Sequence, residues 1–196
     1  MDKKKIENFW YYNKFKVLAA AFIAGVIALC VVQLAGKPNY DYRMLYDVSS
    51  SAPPGLTDAV SVAAAKYGID QNGDGKVQIE TVDCSGLPND PGNRMAAQIR
   101  LQGELATGQA RIVVADDTAF DTLNSLGAFG KFSFLPDKGG KAVNVQSTAL
   151  RDVFNKFWPK HPDLYVCLRA GSDQLPASQQ KGQKAAEDLV GKLITK

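Results

Sequence analysis

Apolar residues fall along this chain in three patterns. The first is an unbroken run at residues 17–36, VLAAAFIAGVIALCVVQLAG, 20 residues without a charge and with Gln33 its one strongly polar position. As a helix rising 1.5 Å per residue, such a run reaches about 30 Å, the thickness of a bilayer's hydrocarbon core. It predicts a membrane anchor. The second pattern is short and strand-like: residues 40–49 in loose alternation, 77–84 with Val77, Ile79 and Val82, the near-continuous run RIVVAD at 111–116, and LYVCL at 164–168. Two shorter extended pieces, 131–135 and 142–145, flank the turn-rich Pro136-Asp137-Lys138-Gly139-Gly140.

The third pattern is helical. Leu56, Val60, Ala63, Ala64 and Tyr67 recur at helix spacing, with Thr57 or Asp58 as cap and Gly68 as the residue just past the end. Residues 94–106 follow, with Met95, Ile99, Leu101 and Leu105 as the apolar side, then 119–126 capped by Asp117 or Thr118. Leu150, Val153, Phe154, Phe157 and Trp158 give 148–158 the clearest amphipathic spacing, closed by Pro159 and Pro162, and 179–195 forms a last helix. Strands thus alternate with helices of about 10–15 residues, the pattern of βαβ units. The expectation is an α/β chain: one N-terminal transmembrane helix, then a three-layer domain with a mostly parallel sheet.

Charge refines this division. Residues 1–37 carry Lys3, Lys4, Lys5, Lys14, Lys16 and Lys37 against Asp2 and Glu7, a net of +4, whereas the other residues hold 17 basic and 18 acidic side chains. The basic excess belongs to the membrane flank, which argues against nucleic acid as a partner of the domain. Five lysines precede the apolar run and one follows it. The positive-inside rule then keeps the N-terminus in the cytoplasm and exports the rest, with Trp10, Tyr11 and Tyr12 near the inner interface. The organisation expected is a basic tail at 1–16, an anchor at 17–36, a linker at 37–39 and an extracytoplasmic domain at 40–196, in the cell membrane as a single-pass protein. A cleaved signal peptide has a shorter apolar core of roughly 7–15 residues and a small-x-small site, and Val32-Gln33-Leu34-Ala35-Gly36 lacks that site. Outside the anchor stand two cysteines, Cys84 and Cys167. They either pair in an oxidising compartment or serve as two small buried apolar residues.

The sharpest local motif is Asp70-Gln71-Asn72-Gly73-Asp74-Gly75-Lys76. Asp70, Asn72 and Asp74 occupy positions 1, 3 and 5 of a calcium-loop pattern, Gly75 the turning position 6, and Lys76 offers its carbonyl at position 7. Position 12 is Thr81 rather than a bidentate glutamate, and Glu80 lies one residue early. The candidate is therefore a helix–loop–strand Ca2+ site of structural role, completed from elsewhere, for instance by Asp83; the alternative is a plain hydrophilic turn. In doubly wound sheets ligands sit beyond the carboxyl ends of the strands. Here that edge would present Ser49, Ser50, Ser51, Cys84, Ser85, Asp116 and Asp117. The single histidine, His161, lies between Lys160 and Pro162, and no nucleophile elbow, phosphate loop or Cys-x-x-Cys pair is present. A non-catalytic role is expected.

The order of strand YDYRMLYDVS, helix, strand VQIETVDC, helix, the turn GELATGQA and strand RIVVADD resembles one lobe of a type 2 periplasmic solute-binding protein, set here on a membrane anchor. Gly108, Ala110, Val113 and Val114 stand in matching places. The family closes two lobes over its ligand, and 160 residues make one. The resemblance implies a solute-binding-like accessory to a transporter. The residues themselves suggest a domain that binds a partner protein or surface ligand near the membrane. An envelope-acting enzyme using Asp116 and Asp117 is the third reading.

Overall fold

The computed structural model describes residues 3–35, 39–50, 52–86, 90–171 and 176–194. The chain divides into two compact units, residues 1–39 and 40–196. In the first, α1 (Lys3–Ala35) is one continuous helix. Its segment Trp10–Val32, 23 residues with a mean hydropathy of 2.6, is long and apolar enough to cross a membrane, and none of it is buried. Gly36 at the end of the expected anchor, and Lys37 and Pro38 of the linker, lie outside the described residues.

The second unit is built on five strands: β1 (Tyr42–Asp47), β2 (Ile79–Asp83), β3 (Ile112–Asp116), β4 (Ala142–Asn144) and β5 (Leu164–Leu168). Their spatial order is β2-β1-β3-β5-β4. The helices are α2 (Leu56–Ala65), α3 (Pro91–Thr107), α4 (Asp117–Ser125), α5 (Arg151–Phe157) and α6 (Ala177–Ile194). β1 pairs parallel with β2 and β3, whereas β5 pairs antiparallel with β3 and β4. The sheet is mixed, not mostly parallel. The connections explain the difference. After β1 and β2 the chain returns through α2 and α3 to start the next strand at the same edge, which enforces parallel pairing. After β4 it meets a 3-10 turn (Val145–Ser147) and α5, seven residues long and so about 10 Å. The chain therefore stays at the carboxyl edge, where Leu164 stands opposite Asp116 and β5 runs back.

Side chains alternate between the two faces of the sheet. On one face Met44, Tyr46, Ile112, Val114, Val143, Val166 and Leu168 pack with Leu56 and Val60 of α2, Phe154 of α5, and Leu189, Val190 and Leu193 of α6. On the other, Leu45, Val82, Val113, Ala115 and Cys167 pack with Ala119, Phe120 and Leu123 of α4. Covering this second face, α3 buries no residue fully. Leu101 and Leu105 lean on the core, but Met95 and Ile99 are 66% and 64% exposed, so its expected apolar side is split between core and solvent.

Several boundaries move for local reasons. Asp90 caps α3 by accepting a hydrogen bond from Asn93 N at 3.0 Å, and Pro91 takes the first turn, so that helix begins three residues earlier than its apolar spacing suggests. Asp116, not Asp117 or Thr118, caps α4. Gly55, not Thr57 or Asp58, precedes α2, with a φ of 79°. Gly68 has ordinary backbone geometry and is needed for space: a Cβ there would stand 2.7 Å from Val77 Cγ1 and 2.9 Å from Tyr42 Cε2. The extended piece expected at 131–135 is a turn, with Leu135 N donating to Phe132 O at 3.1 Å. The end of the last expected helix, Thr195, lies outside the described residues.

Cys84 and Cys167 are separate free thiols, both buried. Three strand spacings part β2 from β5, about 14 Å at roughly 4.8 Å per strand, twice the Cα separation a disulfide spans. Burial pushes the Cys84 thiol up to about 12 and the Cys167 thiol higher still.

Candidate functional site

The loop at 70–76 hangs from a residue outside its own motif. Asp41, at the entrance to β1, accepts from Gln71 N at 2.7 Å and Asn72 N at 3.2 Å on Oδ1, and from Gln78 N at 2.8 Å on Oδ2. Inside the loop, Asp70 accepts from Gly73 N at 2.6 Å and Gly75 N at 2.8 Å, Asn72 from Asp74 N at 2.9 Å, and Asp74 from Lys76 N at 2.9 Å. Gly73 and Gly75 hold φ of 79° and 80°, the left-handed region in which only glycine is unstrained. The backbone hydrogen bonds, those from Gly75 and Gly73 foremost, hold the Asp70 carboxyl below its usual range. Asp70, Asn72 and Asp74 are thus brought onto one short loop, with Lys76 at its exit, and a strand follows.

The residues at and around position 12 that would complete a cation shell are engaged elsewhere. Thr81 is hydrogen-bonded through its hydroxyl to Ser61 of α2. Glu80 is ion-paired with Arg43 at 2.6 Å. Asp83 stands at the far end of β2, where it accepts from Ser85 N at 2.9 Å. Among the described residues no group of three or more His, Cys, Asp or Glu is placed to hold a metal ion. Each accepting side-chain oxygen keeps a second lone pair, so a hard cation sharing these oxygens would take Asp70, Asn72, Asp74 and the Lys76 carbonyl, with Asp41, bonded to the same loop, as a further acid.

At the carboxyl edge of the sheet the expected polar residues meet, and most of them hold the chain in place. Buried Asp116 accepts from Ser49 N at 2.6 Å and from Ala119 N at 2.9 Å, tying the loop after β1 to the first turn of α4. Asp117 pairs with Lys138, whose ammonium also lies over the Phe120 and Tyr165 rings at 5.2 and 4.8 Å. Ser85 Oγ accepts from Val48 N at 3.1 Å. Ser50 lies in the bend after β1; Ser51 lies outside the described residues. Asp47 is different, because no strong donor among the described residues compensates it: burial first, then the charges of Asp116 and Asp83, push its carboxyl up to about 6. His161 lies away from these acids, its Nε2 2.8 Å from Gln146 Nε2 and its ring edge-on to Trp158. A separate cavity of about 380 Å3 is lined by Tyr67, Gln146, Ser147, Thr148, Arg151 and Asp152.

Two sets of residues escaped the sequence reading. Asp41 carries no motif, because its partners lie about thirty residues away. The arginines Arg43, Arg111 and Arg169 come together only through strand register. Arg43 binds Glu80 through Nε at 2.7 Å, Glu104 at 3.0 Å and Gln109 at 3.0 Å.

Comparison of the chain with protein-family models, with curated proteins and with solved structures finds no match.

Proposed function

We propose that this chain is a single-pass membrane protein with a cytoplasmic N-terminus, whose C-terminal domain lies outside the cytoplasm and binds a partner protein or surface ligand close to the membrane, without catalysing a reaction. The observation that carries the reading is α1: its Trp10–Val32 segment has the length and hydropathy of a span, and the lysine excess lies on its N-terminal side. The polar groups at the carboxyl edge support a binding rather than a catalytic role. Asp116 is occupied by two backbone N–H groups and Asp117 by an ammonium, so both hold the chain in place.

The test is crosslinking of the full chain in intact membranes with identification of the crosslinked species, combined with protease added from outside the cell. The reading expects a discrete crosslinked partner and digestion of residues 40–196 from outside. Protection of that region from external protease overturns the topology, and absence of any partner overturns the binding role.

A solute-binding-like accessory is the second reading. What favours it is the order β1, α2, β2, α3, β3, α4 on which the resemblance rests, with β2-β1-β3 joined in parallel. Fold analogy is a weaker warrant than a site. Recovery of a transporter subunit as the crosslinked partner distinguishes it. For the loop at 70–76 the cofactor reading is Ca2+ held by Asp70, Asn72, Asp74 and the Lys76 carbonyl, pinning α2 to β2. It rests on four oxygen donors in one turn, and a calcium-dependent rise in melting temperature tests it.

A further inference from the structure

Strand register lays three arginines in a row across one face of the sheet. Met44 pairs with Ile112, which sets Arg43 beside Arg111 one residue back on the parallel strands. Ile112 pairs with Leu168, and Arg169 N donates to Arg111 O at 2.9 Å, which sets Arg169 on the other side. Arg43 uses up the carboxylates of Glu80 and Glu104. Arg111 and Arg169 make no ion pair among the described residues. Arg111 is only 7% exposed, and its one side-chain partner among the described residues is neutral: Nη2 donates to Gln179 Oε1 at 3.1 Å. Arg169 Nε and Nη1 are buried with no hydrogen-bond partner. Beside them Gln183 donates Nε2 to Arg169 O at 3.2 Å and to Glu187 Oε1 at 3.1 Å, while its Oε1 is buried and also unpartnered.

The two guanidinium groups border one point. A Cβ on Gly108 would stand 3.9 Å from Arg169 Nη1, 4.0 Å from Arg111 Nη2 and 3.5 Å from Gln179 Oε1. Gly108 ends α3 with a φ of 67°, so the C-terminus of that helix lies over the arginines. Its carbonyls supply about half a negative charge, against two full positive ones. Water could satisfy the free N–H groups, but water does not neutralise two neighbouring cations, Arg111 buried and Arg169 half-buried. Burial, and for Arg169 also the charge of Arg111, pull both guanidinium pKa values down from their ordinary range, as expected where no described carboxylate pairs with them.

We infer that Arg111 and Arg169 form a binding site for a phosphate-class oxyanion, at the amino edge of the sheet beneath the end of α3. A dianion matches the two uncompensated charges. Its oxygens accept from Arg169 Nε and Nη1, and where the ligand is the hydrogenphosphate dianion its one P–OH can donate to Gln183 Oε1. Arginine is suited to such recognition by its planar array of donors. The site lies at the opposite edge from Asp116 and Asp117 and does not depend on the membrane topology proposed above.

The test uses the full chain in maltoside micelles and follows its melting temperature against inorganic phosphate, against glycerol phosphate, and with micelles doped with phosphatidic acid, each compared with sodium chloride at equal ionic strength. A saturable rise with phosphate and not with chloride is expected. Arg169→Gln should weaken the apparent phosphate affinity by about tenfold or more, as loss of a charge-assisted contact does. In phosphate-free buffer it should melt no lower than wild type, because it removes an unpaired buried charge. A response to the soluble phosphates assigns the ligand to solution; a response to phosphatidic acid alone assigns it to a lipid headgroup. An equal rise with chloride, no rise with any phosphate, or an unchanged response in Arg169→Gln overturns the inference. If Arg169→Gln fails to fold, Arg111→Lys reads the affinity in its place, and an unchanged phosphate response in that variant overturns the inference.

Discussion

Arg43 and Arg169 are the same residue in nearly the same setting: one face of one sheet, two strands apart, each largely withdrawn from water. Their surroundings differ in one respect. Arg43 has a strand neighbour, Glu80, that presents its carboxylate in register, and α3 contributes Glu104 from above. Arg169 has Arg111 in the equivalent neighbouring place, and α3 contributes Gly108, with no side chain. The fold spends two acids on the first cation, and among the described residues it pairs no acid with the other two. A guanidinium that only shaped the core would gain from a partner or from replacement by an apolar residue. An unpaired pair beneath a helix end lacking a side chain is better suited to a charge that comes and goes.

The comparison can be broken from the Arg43 side first. Arg43→Ala leaves Glu80 and Glu104 facing each other with their cation gone, and should cost about 2 to 3 kcal/mol in urea unfolding at pH 7. A loss as small as that of an ordinary surface substitution would mean that the Arg43 network stabilises no more than an exposed ion pair. Asp47, two positions beyond Leu45 on the same face of β1, is an acid without compensation at the other end of the strand. Its folded pKa, raised to about 6 from an ordinary 3.8, means that the folded state holds the proton more tightly than the unfolded state. Its contribution is therefore fully present below about pH 3.8 and lost as pH rises through 6. Asp47→Asn should thus match wild type at pH 3.5 and exceed it at pH 8 by about 2 kcal/mol, as thermal melts across pH would show. A difference that does not grow with pH would remove Asp47 from this account.

A third substitution sharpens the contrast with satisfied acids. Asp116→Ala removes the cap of α4 and the acceptor for Ser49 N, and should cost about 1 to 2 kcal/mol in urea unfolding at pH 7. The smallest effect concerns the loop at 70–76. Millimolar calcium should raise the melting temperature by about 2 °C, by mass action at a weak site, and Asp74→Asn should abolish the rise. No shift in wild type would leave the loop a turn held by Asp41 and its own backbone.

The sequence carried the order of elements well, because each helix and strand is marked by its own period, and the apolar helix is legible from composition alone. The loop was also visible, since Asp70 to Lys76 are consecutive. Strand direction was not. LYVCL reads the same whether it runs with RIVVAD or against it; what reverses it is that the chain from β4 through short α5 never recrosses the sheet. The exposed Met95 and Ile99 show the limit of periodicity from the other side, since an apolar stripe says which residues share a helix face and not how deeply that face is covered. The arginine row lay furthest from view. Arg43, Arg111 and Arg169 are each about sixty residues apart, and each looks like a polar flank to its own strand until three registers are combined.

The distance between the two buried thiols has a practical consequence. Neither can be trapped by the other, so an oxidising compartment leaves both available to an alkylating reagent, but only while their surroundings are open. Cys84 lies beside the outer strand β2 and Cys167 in the middle of β5 between two neighbours. Timed alkylation followed by peptide mapping would therefore record two separate clocks within one native molecule. Cys84 is expected to label through local fraying of an edge, and Cys167 only when the sheet as a whole comes apart.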